Sequence, residues 1–324
     1  MAVWLTTDEI WKIWKKIQEK RPLVHCITNI VTVNDCANIL LAAGASPIMA
    51  HHPLESAQIQ AGCRSLVCNL GATESWEAMW AAGKKACELG HPIILDPVGA
   101  AASDYRREQC FSLIEGLKPT CIRGNYSEIR ALVLRRSTAG GVDAEWEEQS
   151  REEQNASVEE QGIFVEEQGT FAEEQGIFVE EQGISVEEQS IIMGEQSASI
   201  RERNASMGEM VRELAARYQT MVIASGKTDW ISDGSRICRV ENGSTWMGKL
   251  TGTGCMSSSL LGAFLGAEET LNSAASACIL MGICGQTAEI RTRKQQGGLG
   301  TFHIQLLDSV SMLQKKNLGI ADFA

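Results

Sequence analysis

Residues 22–50, PLVHCITNIVTVNDCANILLAAGASPIMA, contain two short apolar runs separated by a longer segment with helical spacing. The runs at Leu23–Cys26 and Ser46–Met49 are largely apolar, which is typical of strands that are covered on both faces. The segment Val33–Ala43 repeats its apolar residues with the period of a helix. A strand, a helix and a second strand in this order predict a parallel sheet with a right-handed crossover.

The same alternation continues along the chain. Four more strands are predicted, at Ser65–Asn69, Pro92–Leu95, Thr120–Arg123 and Met221–Ala224. Helical patterns separate them, at Glu74–Leu89, Gln109–Leu117, Ser127–Leu134 and from about Met207. We therefore predict an α/β fold in which helices flank a mainly parallel central sheet.

An acidic repeat interrupts this alternation between residues 145 and 206. The tripeptide EEQ begins at 152, 159, 166, 173, 180 and 187, so the period is seven. Its apolar residues fall together, as in 163–165, whereas a coiled coil spaces them alternately three and four apart. A glycine that recurs once per heptad also weakens a helix, by about 1 kcal/mol relative to alanine. We predict a partly helical or disordered insertion rather than an oligomerisation module, with 1–144 and 207–324 forming a single domain.

Charge and composition exclude several classes of protein. The net charge of −12 arises in residues 145–190, where fifteen Glu and one Arg sum to −14 and leave about +2 elsewhere. Because this balance includes no basic stripe, we expect no nucleic-acid partner. No run reaches the roughly 20 apolar residues of a membrane helix, and the amino terminus has no signal-peptide pattern. Eleven scattered cysteines without CxxC pairs favour a reduced, cytoplasmic compartment.

Polar clusters follow directly after the predicted strands. In chain order they read HCITN, MAHH, NLGAT, DPVGA, RGNYSE and SGKTD. The carboxyl ends of parallel strands meet at one edge of a sheet, where ligands bind in folds of this type. We therefore expect a functional site that is formed by several of these clusters.

A glycine-rich turn precedes an apolar helix in KLTGTGCMSSSLLGAFLGA, residues 249–267. Gly252 and Gly254 allow a tight turn that exposes backbone N–H groups, and the dipole of the helix that begins near Cys255 adds positive potential. Such a helix start suits a phosphate or a developing negative charge. The turn by itself favours a structural role and a phosphate cradle about equally.

Taken together, the blocks resemble the hydroxyethylthiazole kinase family of the ribokinase-like superfamily. The resemblance runs through residues 22–50 and then PIILDPVGA, IRGNYSEI, SGKTDWISDG, TGTGCMSSSLLGAFL and LGTFHIQLLD, in the family's order. It implies a ribokinase-like fold and transfer of the γ-phosphoryl group of ATP to the hydroxyl of 4-methyl-5-(2-hydroxyethyl)thiazole in thiamine salvage. It also implies Mg²⁺ as the cofactor and a homotrimer with active sites between subunits.

The resemblance also assigns roles to individual residues. The residues near magnesium are Asp96 and Glu128. The ATP-binding candidates are Arg123, Ser225, Asn125 and Gly254. The candidates that line the thiazole pocket are Met49 and Gly252, with Asn29 and Cys26 nearby.

Each of these residues, considered alone, also has a purely structural explanation. Asp96 could form a turn before Pro97, Glu128 could be a first-turn helix charge, and Met49 could fill the core. A lone histidine after a strand, such as His25, is more often a structural residue than a ligand.

Cys255 is the candidate catalytic residue, with two alternative roles. The helix dipole lowers the pKa of a thiol at this position and the charge of a bound nucleotide raises it, so the sequence does not give the net direction. The thiol either deprotonates the substrate hydroxyl or shapes the anion site while a phosphate oxygen takes the proton. We expect a non-essential contribution to the rate and slow turnover.

Three positions depart from the family pattern. Ala101 replaces a glycine, Gln286 replaces an acid, and the segment GGLGTF at 297–302 lacks a proline. The methyl group of Ala101 is expected to crowd a loop on the phosphate side. Two alternative functions are a kinase for another small vitamin-precursor alcohol, and a weakly active binding or scaffold protein that uses the acidic repeat.

Overall fold

The central sheet of the protein has eight strands in the computed structural model, which describes residues 5–135 and 206–320. The strands are β1 (Leu23–Ile27), β2 (Ser46–Ile48), β3 (Ser65–Asn69), β4 (Ile93–Asp96), β5 (Cys121–Asn125), β6 (Met221–Ser225), β7 (Asp229–Ser232) and β8 (Ile237–Val240). Their order is β2-β1-β3-β4-β5-β6-β7-β8. The first six strands pair in parallel, and β7 and β8 add in antiparallel fashion at one edge.

Helices cover both faces of this sheet. They are α1 (Thr7–Lys20), α2 (Val33–Ala42), α3 (Pro53–Ala61), α4 (Trp76–Leu89), α5 (Asp104–Leu117), α6 (Tyr126–Leu134), α7 (Met207–Tyr218), α8 (Thr253–Ala267), α9 (Leu271–Lys294) and α10 (Leu299–Ser311). Helix α8 packs on β1, β3 and β4, with α1, α2 and α9 beside it. Helices α3 to α7 form a second layer, in which α4 contacts β3 and α7 contacts β6 and β7. The predicted α/β class with a mainly parallel sheet is confirmed.

The six predicted strands are confirmed to within two residues at each end. The sequence analysis missed β7 and β8, which are four residues each and only partly buried. Their connection is a tight turn in which the carboxylate of Asp233 accepts hydrogen bonds from the backbone N–H groups of Ser235 and Arg236. Short, half-exposed strands lack the continuous apolar run that identified the parallel strands.

The helices differ from the sequence analysis in two ways. Helix α5 begins at Asp104 rather than Gln109, because the Ser103 hydroxyl caps it by accepting a hydrogen bond from the backbone N–H of Arg106. Helices α3, α9 and α10 were not predicted, and the first residue of α3 is Pro53, a favoured residue at a helix start. Neither difference moves a strand end at the carboxyl edge of the sheet.

Helix α8 lies unusually close to the sheet. A Cβ atom at Gly262 would lie 2.8 Å from Cγ2 of Val67 and 2.9 Å from Cγ1 of Val24, so only glycine fits without a shift. The hydroxyl of Ser65 donates a hydrogen bond of 2.8 Å to the Gly262 carbonyl. This contact fixes the axis of α8, and therefore the position of its amino-terminal turn relative to the strand ends.

The chain segments on either side of residues 136–205 meet in the sheet. Strand β5 pairs with β6 from Cys121 with Met221 through Asn125 with Ser225. The predicted insertion at 145–206 lies outside the described residues, except for Ser206. Among the residues that the structure describes, no helix has the length and apolar composition needed to span a bilayer.

Candidate active site

The candidate site lies where the carboxyl ends of the parallel strands meet the amino terminus of α8. Asn69, Asp96 and Asn125 are the last residues of three neighbouring strands, β3, β4 and β5. Asn69 is paired with Asp96 in the sheet register, and Asn125 with Ser225. The structure therefore brings together four of the polar clusters that the sequence analysis identified.

Asp96 is almost completely buried and has one oxygen held in place. Its Oδ2 accepts a hydrogen bond of 2.9 Å from Nδ2 of Asn69 and one of 2.8 Å from the Ser258 hydroxyl on α8. Among the described residues no side chain donates a hydrogen bond to Oδ1. Burial raises the pKa of Asp96, and the positive charge of Arg123 opposes this shift. The carboxylate is thus oriented with one oxygen available to a ligand.

Asn69 is a site residue that the sequence analysis did not single out. Its Nδ2 donates to Oδ2 of Asp96 at 2.9 Å and to Sγ of Cys255 at 3.2 Å. Its Oδ1 accepts from Nδ2 of Asn29 at 3.2 Å and from the backbone N–H of Gly71 at 2.9 Å. An asparagine amide has two donors and two acceptor positions, and all four are used here. The signal in the sequence was the cluster NLGAT, in which Asn69 is the last residue of the predicted strand.

Cys255 lies on the first turn of α8, with its sulfur facing two amide groups. Besides Asn69, Asn29 points its Nδ2 at the sulfur from 3.6 Å. Burial raises the pKa of Cys255 to about 12, and the negative charge of Asp96 adds to the shift. The side chain is therefore a neutral thiol at neutral pH. The sequence alone did not give this direction of the pKa shift.

The glycine turn before α8 adopts a backbone that requires glycine. Gly252 has φ +92°, and a Cβ atom there would lie 2.8 Å from Cγ2 of Thr32. The Thr253 hydroxyl donates to the Met247 carbonyl at 2.8 Å and closes the turn. The first backbone N–H groups of an α-helix have no partner within the helix, so this end of α8 presents donors and a positive dipole.

Arg123 connects this turn to the middle of the sheet. It lies on β5, and its Nη1 donates to the Gly254 carbonyl at 3.0 Å. Its charge also acts on Asp96 and on Asp229, a second residue that the sequence analysis missed. Burial raises the pKa of Asp229 to about 6, although its Oδ1 accepts a hydrogen bond of 3.0 Å from the Gly226 N–H. Asp229 thereby holds the SGKTD turn that begins at Ser225.

Glu128 and Asn125 form a capping box at the start of α6. The carboxylate of Glu128 accepts hydrogen bonds from the backbone N–H groups of Asn125 at 2.9 Å and Gly99 at 3.0 Å. It thereby ties the loop after β4 to the turn after β5. Burial raises the pKa of Glu128 to about 7, and the charge of Asp96 adds to the shift.

The two remaining candidates for the thiazole pocket, Met49 and Cys26, occupy different positions relative to the edge of the sheet. Met49 directly follows β2 and is half-buried at the rim of the core. Cys26 lies within β1, is 1% exposed, and points its thiol at the hydroxyl of Ser259 from 3.8 Å. The structure therefore places Met49 at the carboxyl edge of the sheet and Cys26 beneath it, against α8.

The structure also places the three departures from the family pattern. Ala101 is buried and its φ is not positive, so the loop after β4 holds its methyl group without backbone strain. The side-chain oxygen of Gln286, on α9, is buried and has no hydrogen-bond partner among the described residues. Gly300 is the second residue of α10, which begins without a proline.

The residues at this edge fit a magnesium ion whose remaining ligands are water and substrate phosphates. The described residues contain no group of three or more His, Cys, Asp or Glu side chains that could hold a metal alone. Magnesium commonly binds through one or two carboxylates together with water and substrate phosphates. Asp96, with its available Oδ1, and the nearby buried Glu128 supply such a pair.

Sequence comparisons relate the chain to one family of enzymes. The model of the hydroxyethylthiazole kinase family matches residues 14–167 and 186–316. The chain is 37% identical over 308 residues to hydroxyethylthiazole kinase of Clostridium beijerinckii, covering 94% of this chain and 92% of the relative. It is 34% identical over 321 residues to hydroxyethylthiazole kinase 1 of Methanosphaera stadtmanae, covering 97% and 95%.

Solved structures show the same fold. Hydroxyethylthiazole kinase from Pyrococcus horikoshii superposes with a TM-score of 0.70 and 29% identity, covering 97% of this chain and 98% of that one. A ribokinase-like superfamily protein from Enterococcus faecalis superposes with a TM-score of 0.55 at 10% identity, covering 97% and 95%. The second likeness concerns the fold alone.

Proposed function

Because the chain belongs to the hydroxyethylthiazole kinase family, we propose that it transfers the γ-phosphoryl group of ATP to the hydroxyl of 4-methyl-5-(2-hydroxyethyl)thiazole. The observation that carries this proposal is the meeting of Asp96 with α8, where the Ser258 hydroxyl lies 2.8 Å from the carboxylate. Phosphoryl transfer requires mainly positioning and neutralisation of charge. The buried Asp96 carboxylate can position a metal ion. The glycine turn at the start of α8 presents N–H groups that neutralise negative charge.

The phosphates of ATP are proposed to bind at the amino terminus of α8. Its exposed N–H groups and the charge of Arg123 act on an anion from two directions. Within the described residues, Arg123 makes one hydrogen bond, to the Gly254 carbonyl, and a guanidinium has five N–H donors. Donors therefore remain for phosphate oxygens. Ser225 and Asn125, paired at the ends of β6 and β5, complete the nucleotide side.

Magnesium is proposed to be held by Asp96 and Glu128, directly or through water. When bound, the ion neutralises charge that develops on the phosphate oxygens. Asn69 and Ser258 fix Asp96 for this role, because both bind Oδ2 and leave Oδ1 available. Glu128 contributes its charge while its backbone hydrogen bonds hold the two adjoining loops together.

The thiazole ring is proposed to lie between Met49 and the turn at Gly252. Asn29, which follows β1, reaches both Asn69 and Cys255 and stands beside this space. Cys26 is assigned to the support of the pocket, since its thiol lies beneath the edge. A homotrimer and a cytoplasmic location are part of the same proposal and are supported by the family resemblance and the scattered free cysteines.

Replacing Cys255 by alanine is expected to reduce kcat by less than about tenfold. A general base contributes roughly 10² to 10⁴ in rate, but a thiol with a pKa near 12 is a poor base at neutral pH. Steady-state kinetics between pH 6 and 9 test this, with Cys87→Ala as an exposed-thiol control. A loss of 10³ or more, with disappearance of an ionisation from the wild-type pH profile, would show that Cys255 is the base.

The proposed reaction is tested by an ATP- and magnesium-dependent phosphorylation assay. Hydroxyethylthiazole is compared with hydroxymethylpyrimidine and pyridoxal as acceptors. Selective phosphorylation of the thiazole supports the proposal. Selective use of another acceptor by the folded protein contradicts it, and so does failure to bind ATP.

A further inference from the structure

A buried histidine links the sheet to the turn that carries Met49. His25 lies in the middle of β1 and is completely buried. Its Nε2 is 2.8 Å from the carbonyl oxygen of Ala50, and its Nδ1 is 3.1 Å from Oε1 of Gln60. Gln60, near the end of α3, is also completely buried, and its Nε2 lies 3.3 Å from Nδ1 of His91. These groups form a continuous hydrogen-bonded chain.

The chemistry of the partners determines where the hydrogens lie. A backbone carbonyl can only accept, so Nε2 of His25 must carry a hydrogen. A neutral imidazole has one N–H, and Nδ1 of His25 is then an acceptor that requires a donor from Gln60. Rotating the Gln60 amide by 180° exchanges its oxygen and nitrogen and supplies that donor without moving another group. The Gln60 oxygen then faces His91, which must carry its hydrogen on Nδ1.

The alternative is a doubly protonated His25, which the surroundings disfavour. Burial lowers the pKa of His25, whereas the hydrogen bonds to Ala50 and Gln60 and the charge of Glu55 on α3 act in the opposite direction with less effect. At the other end of the chain, burial and the charge of Arg64 lower the pKa of His91. His25 is therefore a neutral donor toward Ala50 and an acceptor toward Gln60.

We propose that His25 is a positioning residue for substrate specificity, which holds the Ala50 carbonyl and thereby places Met49 against the thiazole ring. This inference rests on the proposed function. Ala50 follows Met49 directly and lies in the turn between β2 and α3. Among the described residues, His25 is the side chain that binds the Ala50 carbonyl, so the direction of the turn leaving β2 depends on this hydrogen bond.

The stability of the folded protein is expected to depend on pH through His25. Its pKa is lowered on folding, so below the usual value of about 6.5 the unfolded chain binds the proton more readily. The stabilising contribution is complete above pH 6.5 and is lost as the pH falls toward the pKa of the folded state. Urea unfolding at pH 7.5 and 5.5 should show a smaller drop in midpoint for His25→Gln than for the wild type. An equal drop in both would show that His25 does not titrate in this way.

Two matched variants separate positioning from mere packing. In His25→Gln the amide nitrogen takes the place of Nε2 and can still donate to Ala50, whereas in His25→Asn it takes the place of Nδ1 and cannot. We expect His25→Asn to raise KM for the thiazole about tenfold and His25→Gln to raise it less than threefold. The KM for ATP should stay within twofold in both variants. Equal effects of the two variants on the thiazole KM, or parallel effects on the ATP KM, would overturn the proposal.

A measurement on the wild type is independent of turnover and of variant folding. Two-dimensional ¹H–¹⁵N NMR of the imidazole groups at pH 7 should show His25 with a hydrogen on Nε2 and none on Nδ1. A hydrogen on Nδ1 of His25 would contradict the proposal. A wild type that binds ATP but does not phosphorylate the thiazole would refute the proposed function instead, so the two failures are distinguishable.

Discussion

Asp96→Asn should lower kcat for thiazole phosphorylation by about 10³-fold without loss of stability. The amide keeps the size of the carboxylate, and its oxygen can still accept from Asn69 and Ser258, but the negative charge at Oδ1 is lost. Charge stabilisation by a bound metal is worth several kcal/mol, and each 1.4 kcal/mol is a factor of ten in rate. Because burial raises the pKa of Asp96, ionisation of this carboxyl group costs free energy in the folded state. Removing the charge therefore offsets the weaker hydrogen bonds.

Steady-state kinetics and urea unfolding of the same preparations measure both effects. Asp8→Asn is the matched control, since Asp8 lies on α1 with a carboxylate that is 66% exposed and bound to Lys315. It should leave kcat unchanged. A kcat within tenfold of wild type for Asp96→Asn would remove Asp96 from the proposed metal site. A large loss of stability would mean that Asp96 is primarily a structural residue.

Asn69→Asp should lower kcat by about 10²-fold, and more than Asn69→Ala does. The aspartate keeps the two accepted hydrogen bonds, but an oxygen replaces the nitrogen that lies 2.9 Å from Asp96 and 3.2 Å from Cys255. Two buried carboxylates this close cannot both ionise, so they share a proton and Asp96 loses charge. The free energy of unfolding should also fall by about 1 kcal/mol, because the shared proton replaces the hydrogen bond to Asp96 but the one donated to Cys255 is lost.

The order of the two variants is the sharper part of this prediction. Alanine removes the donors and leaves room for water, whereas aspartate also changes the protonation of Asp96. Steady-state kinetics at several magnesium concentrations compare them, with Asn272→Asp on the first turn of α9 as the control. Equal losses in Asn69→Asp and Asn69→Ala would show that Asn69 acts only through packing and hydrogen bonds, not through the charge of Asp96.

The parallel strands and the site edge could be predicted from the sequence because both depend on local patterns. Apolar runs define β1 to β6, and the polar residues directly after them define the edge. Asn69 could not be identified in the same way, because its importance comes from the pairing of β3 with β4 and from the position of α8 above them. These are contacts between residues that lie 27 and 186 positions apart in the chain.

The placement of Cys26 illustrates a second limit. Successive side chains of a strand point to opposite faces of the sheet, so His25 and Cys26 cannot share one environment. The sequence HCITN contains no signal for which of them faces α8. The structure places Cys26 against α8 and turns His25 toward α3. The direction of the Cys255 pKa likewise depends on burial, which a motif does not reveal.

The direct pairing of β5 with β6 has a consequence for the evolution and engineering of this chain. The two strands hold each other in register, and the hydroxyl of Tyr218 on α7 accepts a hydrogen bond of 2.7 Å from Arg135 at the end of α6. Because each doubling of a connection's length adds only about 0.6 kcal/mol of loop-closure free energy, we expect the pairing of β5 with β6 to tolerate changes in the number of residues between the two helices. Repeat expansion at this point is therefore expected to cost little folding free energy. We therefore expect the same junction to accept an inserted fluorescent or affinity domain while β5 and β6 stay paired.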